Sequence, residues 1–334
     1  MPMDVLYHDG NGIVGNGPTA TRLLESGMDL NSLRVNASLL KDEWILLDTA
    51  VVEVARERFS AVADLLSRNM TYTVNNALGI TVVQHQTMTE MIAARVSMDG
   101  LAQGQNDRVL FSLVSTPLPI THHDFQMSAR LLATSRNSGQ PLDTTMVREA
   151  TRQVVEKIED MVMNGLSTEE TFGFGSSTAV LYGVTNYTNR NTVSLVTQWS
   201  ASAATGTTIL DDVIAMISAA QTDRHYGPFV LYVPTAYWLP LLEDFKANSD
   251  KTILQRIKEL PMIADVKVND KLAANTVALV EMMSSNMDLV VGFPPTPVYW
   301  ETQGGMNLNF KVMAIMVPRP KADAGSRSGI TILS

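Results

Sequence analysis

The chain has 334 residues, 45% of them hydrophobic and 18% charged; this balance supports one large domain or two lobes and excludes an intrinsically disordered chain. Lys and Arg total 25 against 34 Asp and Glu, a net charge of −9, which argues against a surface that grips nucleic acid by neutralising phosphates. There is no cysteine, so disulfide scaffolds, thiolate zinc sites, thiol catalysis and iron–sulfur clusters are excluded.

The N-terminus, MPMDVLYHDGNG, lacks the basic-then-apolar pattern of a signal peptide. The longest apolar runs, such as 312–317, fall far below the ~20 residues that span a bilayer. A soluble, cytoplasmic setting is expected. Residues 1–37 read as an arm broken by Gly10, Gly12, Gly15, Gly17, Pro18 and Gly27. Leu30, Leu33 and Val35 are its candidate anchors on a partner; the alternative is a disordered terminus. Ser38 is a good N-cap, and Trp44, Leu47, Val51, Val54, Val62 and Leu65 form one apolar face of a long helix over 39–67.

The stretch 71–116 predicts strands in a long two-stranded excursion, turning near Gly100, Gly104, Asn106 and Asp107 and resuming at 108–114. A lone hairpin is marginal in water, so it must lie on its own body or on a neighbour. Residues 117–133 predict a turn and then a strand. The clearest helix follows, capped by Asp143 and ended by Gly165. Its stripe is Val147, Ala150, Val154, Ile158 and Met161, with Arg148, Glu149, Arg152 and Glu156 among its charged remainder. About 22 residues at ~1.5 Å each make a rod of roughly 33 Å.

From 171 to 210 Arg190 is the single charge, predicting short strands and turns. An α/β stretch follows. Thr208 and Asp211 make a capping-box-like start, Leu210, Val213, Ile214 and Ile217 the stripe, and Gly227-Pro228 the stop. The run 229–233 predicts a buried strand, and Trp238, Leu241, Leu242 and Phe245 a second helix that Pro240 delays or kinks. After a polar loop at 246–251, Ile253, Ile257 and Leu260 mark a third short helix. Strands are predicted at 263–268, 277–283, 289–291, 298–300, 308–317 and 330–333.

Chemistry is sparse. His122, His123 and Asp124 sit on a strand, where neighbours point to opposite faces, which favours a structural role over a metal site. No HExxH, GxSxG or Walker-type motif occurs, and 173–177 reads as turn chemistry. The 19 methionines read as core and interface filler, with an adaptable binding groove as the alternative. No catalytic, cofactor or metal site is expected.

Three segments together resemble one family. Residues 116–165, TPLPITHHDFQMSARLLATSRNSGQPLDTTMVREATRQVVEKIEDMVMNG, are similar to the approach to the spine helix of encapsulins and related tailed-phage capsid proteins. FVLYVPTAYWLPLL at 229–242 resembles the strand–turn–Trp–helix of the axial domain, and LLKDEWILLDTAVVEVARERF at 39–59 resembles the leading helix. Their order matches, over roughly 38–334.

The resemblance implies an α+β Hong Kong 97-type capsid fold. It comprises an N-terminal arm at 1–37, a peripheral-domain helix at 38–70 and an extended β-hairpin loop at 71–115. The peripheral domain with its long spine helix would span 116–170, an α/β axial domain 171–290, and peripheral-domain C-terminal strands 291–334. It implies self-assembly into hexamers and pentamers of an icosahedral shell around phage DNA bound without sequence specificity. Portal and possible scaffold or decoration proteins would be partners, with no cofactor and no membrane; the virion capsid, assembled in the bacterial cytoplasm, would be the location. A chain beginning at Met1 is expected to lose no long scaffolding segment. Intersubunit contacts would fall on Leu30, Leu33 and Val35 of the arm, Arg95 and Arg108 of the loop, Glu149, Arg152 and Glu156 of the spine helix, and Lys246, Asn248 and Lys251 near the capsomer axis. Encapsulins begin close to the Trp-bearing helix, whereas about 37 residues precede it here, which favours a phage shell. An encapsulin nanocompartment enclosing cargo enzyme is the alternative, and a cytosolic α/β enzyme the third reading.

Overall fold

A computed structural model describes residues 5–8, 13–16, 41–94, 96, 98, 107–137, 144–166, 180–246, 250–323 and 325–334. The expected anchors Leu30, Leu33 and Val35, the loop residue Arg95, the cap Asp143, the segment 173–177 and Asn248 lie outside the described residues.

From the N-terminus, β1 (Val5–His8) and β2 (Ile13–Asn16) form an antiparallel hairpin. Helices α1 (Lys41–Arg58) and α2 (Ala61–Ser67) lead to the short strand β3 (Thr71–Thr73). Among the described residues, strands β4 (Val82–Met88) and β5 (Phe111–Pro117) form a two-stranded sheet of their own. Next come β6 (Thr121–Ser128), α3 (Ala129–Asn137) and the long α4 (Thr145–Asn164). The α/β stretch is β7 (Asn191–Val193), α5 (Gly206–Thr222), β8 (Phe229–Val233), α6 (Thr235–Leu241), α7 (Ile253–Lys258), β9 (Ile263–Val268) and β10 (Val277–Glu281). The chain closes with β11 (Met287–Thr302), β12 (Asn307–Pro320) and β13 (Ile330–Leu333).

The chain divides into two compact units. The first holds Met1–Thr81, Pro117–Gly183 and Asp288–Arg319. Its sheet runs β3-β11-β12-β6, with β6 antiparallel to β12 and β3 parallel to β11. The spine helix α4 packs against α1 and β6 because its residues at three- and four-step spacing, Val147, Ala150, Val154, Ile158 and Met161, are all buried. Leu47, Val51, Met127, Tyr299, Leu308 and Phe310 complete the core there, and Phe125 stacks on Phe310 at 5.0 Å. Each such buried side chain stabilises by ~1.5–3 kcal/mol before ordering costs. Gly165 ends α4 at φ 67°, a conformation that glycine adopts without strain. At the sheet's end Arg319 grips Asp288 with two hydrogen bonds of 2.8 and 2.6 Å, both side chains buried, and its guanidinium lies 4.4 Å from the Tyr72 ring centre.

The second unit holds Val82–Thr116, Val184–Met287 and Pro320–Ser334. Its sheet runs β7-β13-β10-β8-β9. Strands β8 and β10 are buried at every residue, as the apolar runs FVLYV and VALV require of strands covered on both faces, with Glu281 buried at the end of β10. Helix α5 starts with a reciprocal capping box between Thr205 and Thr208. Trp199 stacks on Tyr237 at 5.3 Å and donates its indole N–H to Asp212 at 2.8 Å.

Several expected boundaries shift. The helix predicted over 39–67 is two helices, because the carboxylate of Glu159 on α4 takes the hydroxyl of Ser60 and the backbone N–H groups of Ala61 and Val62 at 2.7, 2.7 and 3.2 Å, starting a new helix there. The strand expected within 117–133 ends at Ser128 and continues as α3. The capping box is Thr205 with Thr208, not Thr208 with Asp211, and α5 ends at Thr222 before Gly227-Pro228. Strands predicted at 289–291 and 298–300 are one strand, β11. The arm contains the β1–β2 hairpin, which packs on α1. The compact units also divide the chain elsewhere than the expected domains, the first running on to Gly183. Residues 71–81 stay in the first unit, because β3 pairs with β11, so the excursion starts at Val82. Residues 320–334 belong to the second unit, because β13 pairs with β10 and β7 instead of joining the first sheet.

Candidate intersubunit surfaces

The β4–β5 hairpin carries several exposed large apolar side chains. Hydrogen bonds from Leu118 N–H to Thr81 C=O and from Thr89 N–H to Leu110 C=O fix its register, placing Met88 opposite Phe111 and Gln86 opposite Leu113. Alternation then puts Met88, Phe111 and Leu113 on one face. They are 59%, 66% and 61% exposed, and Met91, Ile92, Val96 and Met98 beyond them are exposed too. The carboxylate of Asp107 orders the base of the turn, accepting from Ile92 N–H at 2.9 Å and Arg108 N–H at 2.8 Å.

The outward face of α4 gathers Glu149, Arg152 and Glu156. Arg152 holds Glu149 with two hydrogen bonds and lies 3.7 Å from Glu156. The Arg152 hydrogen bond, and then one from Gln153, hold the Glu149 carboxyl down to about 2. Arg148 reaches Glu53 on α1 at 2.7 Å. Arg108 is exposed on the hairpin.

In the second unit the loop at 246–251 is closed at its base by Phe245 N–H to Lys251 C=O at 3.0 Å. Lys246 Nζ lies 5.5 Å from the centre of the Phe245 ring, and Lys251 pairs with Glu259. A cavity of about 290 Å³ beside the start of α5 is lined by Trp199, Thr205, Gly206, Glu243 and Phe245 among others. Among the described residues no three metal-ligating side chains gather, and no helix is long and apolar enough to cross a membrane.

The structure thus brings Glu149, Arg152 and Glu156 together, with Lys246 and Lys251 at opposite ends of one loop. Sequence reasoning missed Met88, Phe111 and Leu113. The alternation Phe111-Ser112-Leu113 was the available signal, but alternation marks a face without saying whether that face is covered.

Residues 34–332 match a family described as a family of unknown function, DUF6260. No curated protein matches the chain. Among solved structures, the virus-like particle from Pyrococcus furiosus matches with a TM-score of 0.61 at 17% identity, covering 86% of this chain and 98% of that one. The capsid of Myoviridae phage XM1 gives 0.61 at 12% identity, covering 82% and 92%. The capsid of the native GTA particle gives 0.58 at 10%, covering 82% and 90%. The chain belongs to the DUF6260 family and has the Hong Kong 97-type capsid fold.

Proposed function

We propose that this chain is a major capsid protein that assembles with copies of itself into a closed icosahedral shell around phage DNA. The observation that carries the reading is the β4–β5 hairpin, whose Met88, Phe111 and Leu113 stay more than half exposed on a fold shared with capsid subunits. A run of exposed apolar side chains at the end of a two-stranded ribbon marks a surface for another to cover. A second copy supplies that surface, and the ribbon would cross the charged face of α4 with Glu149, Arg152 and Glu156 by its own charged part, Arg108, leaving the apolar run to lie on apolar surface beside it. In this reading the first unit is the peripheral domain, and the second is the axial domain with the extended loop. Lys246 and Lys251 flank a loop at the capsomer axis, and the arm 1–37 clamps between subunits. Each contact is small, but a subunit making many at once gains the multivalency that closes a shell. The net charge of −9 suits a wall that holds DNA without sticking to it. Portal, scaffold or decoration partners, a virion location and assembly in a bacterial cytoplasm follow from this reading.

A nanocompartment shell enclosing cargo is the second reading, favoured by the match that covers 98% of the Pyrococcus furiosus virus-like particle subunit. Sedimentation and negative-stain microscopy of the purified chain test both. Closed particles are expected, and a lasting monomer at high concentration removes both readings. Removing residues 2–36 separates them: weaker, fewer or differently sized shells support the phage capsid, and unchanged shells support the compartment.

A further inference from the structure

Within the second unit one acidic side chain at the base of the hairpin turn meets two arginines from distant turns. Glu90 lies 2.8 Å from Arg327 and 3.5 Å from Arg224. Both arginines are aimed by tight backbone turns. Arg224 follows α5 in a Schellman arrangement, with Arg224 N–H donating to Gln221 C=O and His225 N–H to Ala220 C=O. Its φ is 64°, the left-handed position where glycine is the favoured residue, yet an arginine stands there. Arg327 follows Ser326, also left-handed at φ 58°, in a turn held by Asp323, which accepts from Gly325 N–H and Arg327 N–H at 2.8 and 2.9 Å. Glu90 in turn lies between Thr89, which pairs with Leu110, and Ile92, which Asp107 holds. At Arg224 the strained residue is itself the one that reaches Glu90, and at Arg327 the strained residue Ser326 directly precedes it, so both turns aim an arginine at one carboxylate.

We propose that Glu90, Arg224 and Arg327 form a clasp inside the subunit that sets the direction of the extended hairpin before a second copy covers its apolar tip. The device rests on the shell reading for its purpose, but not for its existence. Glu90 and Arg224 are 48% and 67% exposed on their side chains, so the clasp is weak and salt-sensitive. It biases the hairpin's direction and still yields to the docking contact.

Hydrogen exchange on the full chain, kept as free subunits in low salt, tests it. Glu90→Gln and Arg327→Gln should each speed exchange at the amides of 89–92 and 107–110 several-fold, with the amides of β8 and β10 unchanged; 1 M NaCl should do the same to the unmodified chain. Arg224→Gly should also speed it while raising the thermal midpoint, because glycine relieves the left-handed strain. Unchanged exchange at these amides in Glu90→Gln, or in Arg224→Gly, overturns the clasp. Particle formation is scored separately by sedimentation: a chain that shows the exchange changes but never forms particles keeps the clasp and loses the shell reading, and normal particles with unchanged exchange do the reverse.

Discussion

The spine helix α4 and the β4–β5 hairpin use the same kinds of apolar residue and treat them in opposite ways. On α4, Val147, Val154, Ile158 and Met161 are each at most 1% exposed, covered by the chain's own α1 and β6. On the hairpin, Met88, Phe111 and Leu113 are each more than half exposed. Burial of an apolar face inside the subunit is folding energy; burial of the same area by another copy is association energy, and it is reduced by the cost of immobilising a partner. The proposed assembly needs both kinds of face, kept on separate elements.

That separation can be broken at several points, in descending order of effect on subunit stability. Val154→Asp places an unpaired charge in the core and should cost several kcal/mol, unfolding the subunit in denaturant titrations. A stable, folded variant would mean that the α4 stripe is not internal. Asp288→Ala leaves Arg319 as an uncompensated buried charge, an expected loss of about 3–5 kcal/mol in the same titration. Arg319→Met with Asp288→Leu should recover most of it, since the pair can be replaced by packed apolar groups.

A pH-dependent contribution comes next. The ring of His225 bonds the buried carboxylate of Glu281, and that bond raises the His225 pKa, with Asp223 and Asp323 adding to it. The protonated ring is therefore favoured by folding. Its contribution is fully present below the unfolded value of about 6.5 and is lost as pH climbs through the higher folded value. Unfolding free energy should fall across that rise. His225→Gln should flatten this part of the profile; an unchanged profile would remove His225 as its source.

The smallest effect on the subunit is expected where the effect on assembly is greatest. Phe111→Ser with Leu113→Ser should change unfolding free energy by no more than about 0.5 kcal/mol, since neither side chain is covered. Sedimentation should nevertheless show particles lost or reduced, because ~1.5–3 kcal/mol of burial per side chain would be missing from every copy of the contact. A destabilised subunit with intact assembly would place this face inside the fold.

Much of this was legible in the residues because it is local. The α4 stripe recurs at three- and four-residue steps, Gly165 stops it, and FVLYV reads as a buried strand without reference to anything else. The hairpin was legible as two strands with a turn between them, and its length required a further surface to lie on, either its own body or a neighbour. The charged triad of Glu149, Arg152 and Glu156 was legible as one helical face, being spaced three and four apart.

Tertiary structure alone decided what joins residues far apart in the chain. The break between α1 and α2 depends on Glu159, some 98 positions from the N–H group it accepts at Ala61. Arg319 and Asp288 are 31 positions apart, and Arg327 and Glu90 are 237 apart. The last strand could have extended the first unit's sheet; the pairing of β13 with β10 and β7 carries the C-terminus into the second unit instead. Periodicity specifies that a residue has an inward side, because that is set by backbone geometry within a few residues. It does not specify which distant group lies there, because that choice is made by the summed packing of the whole chain.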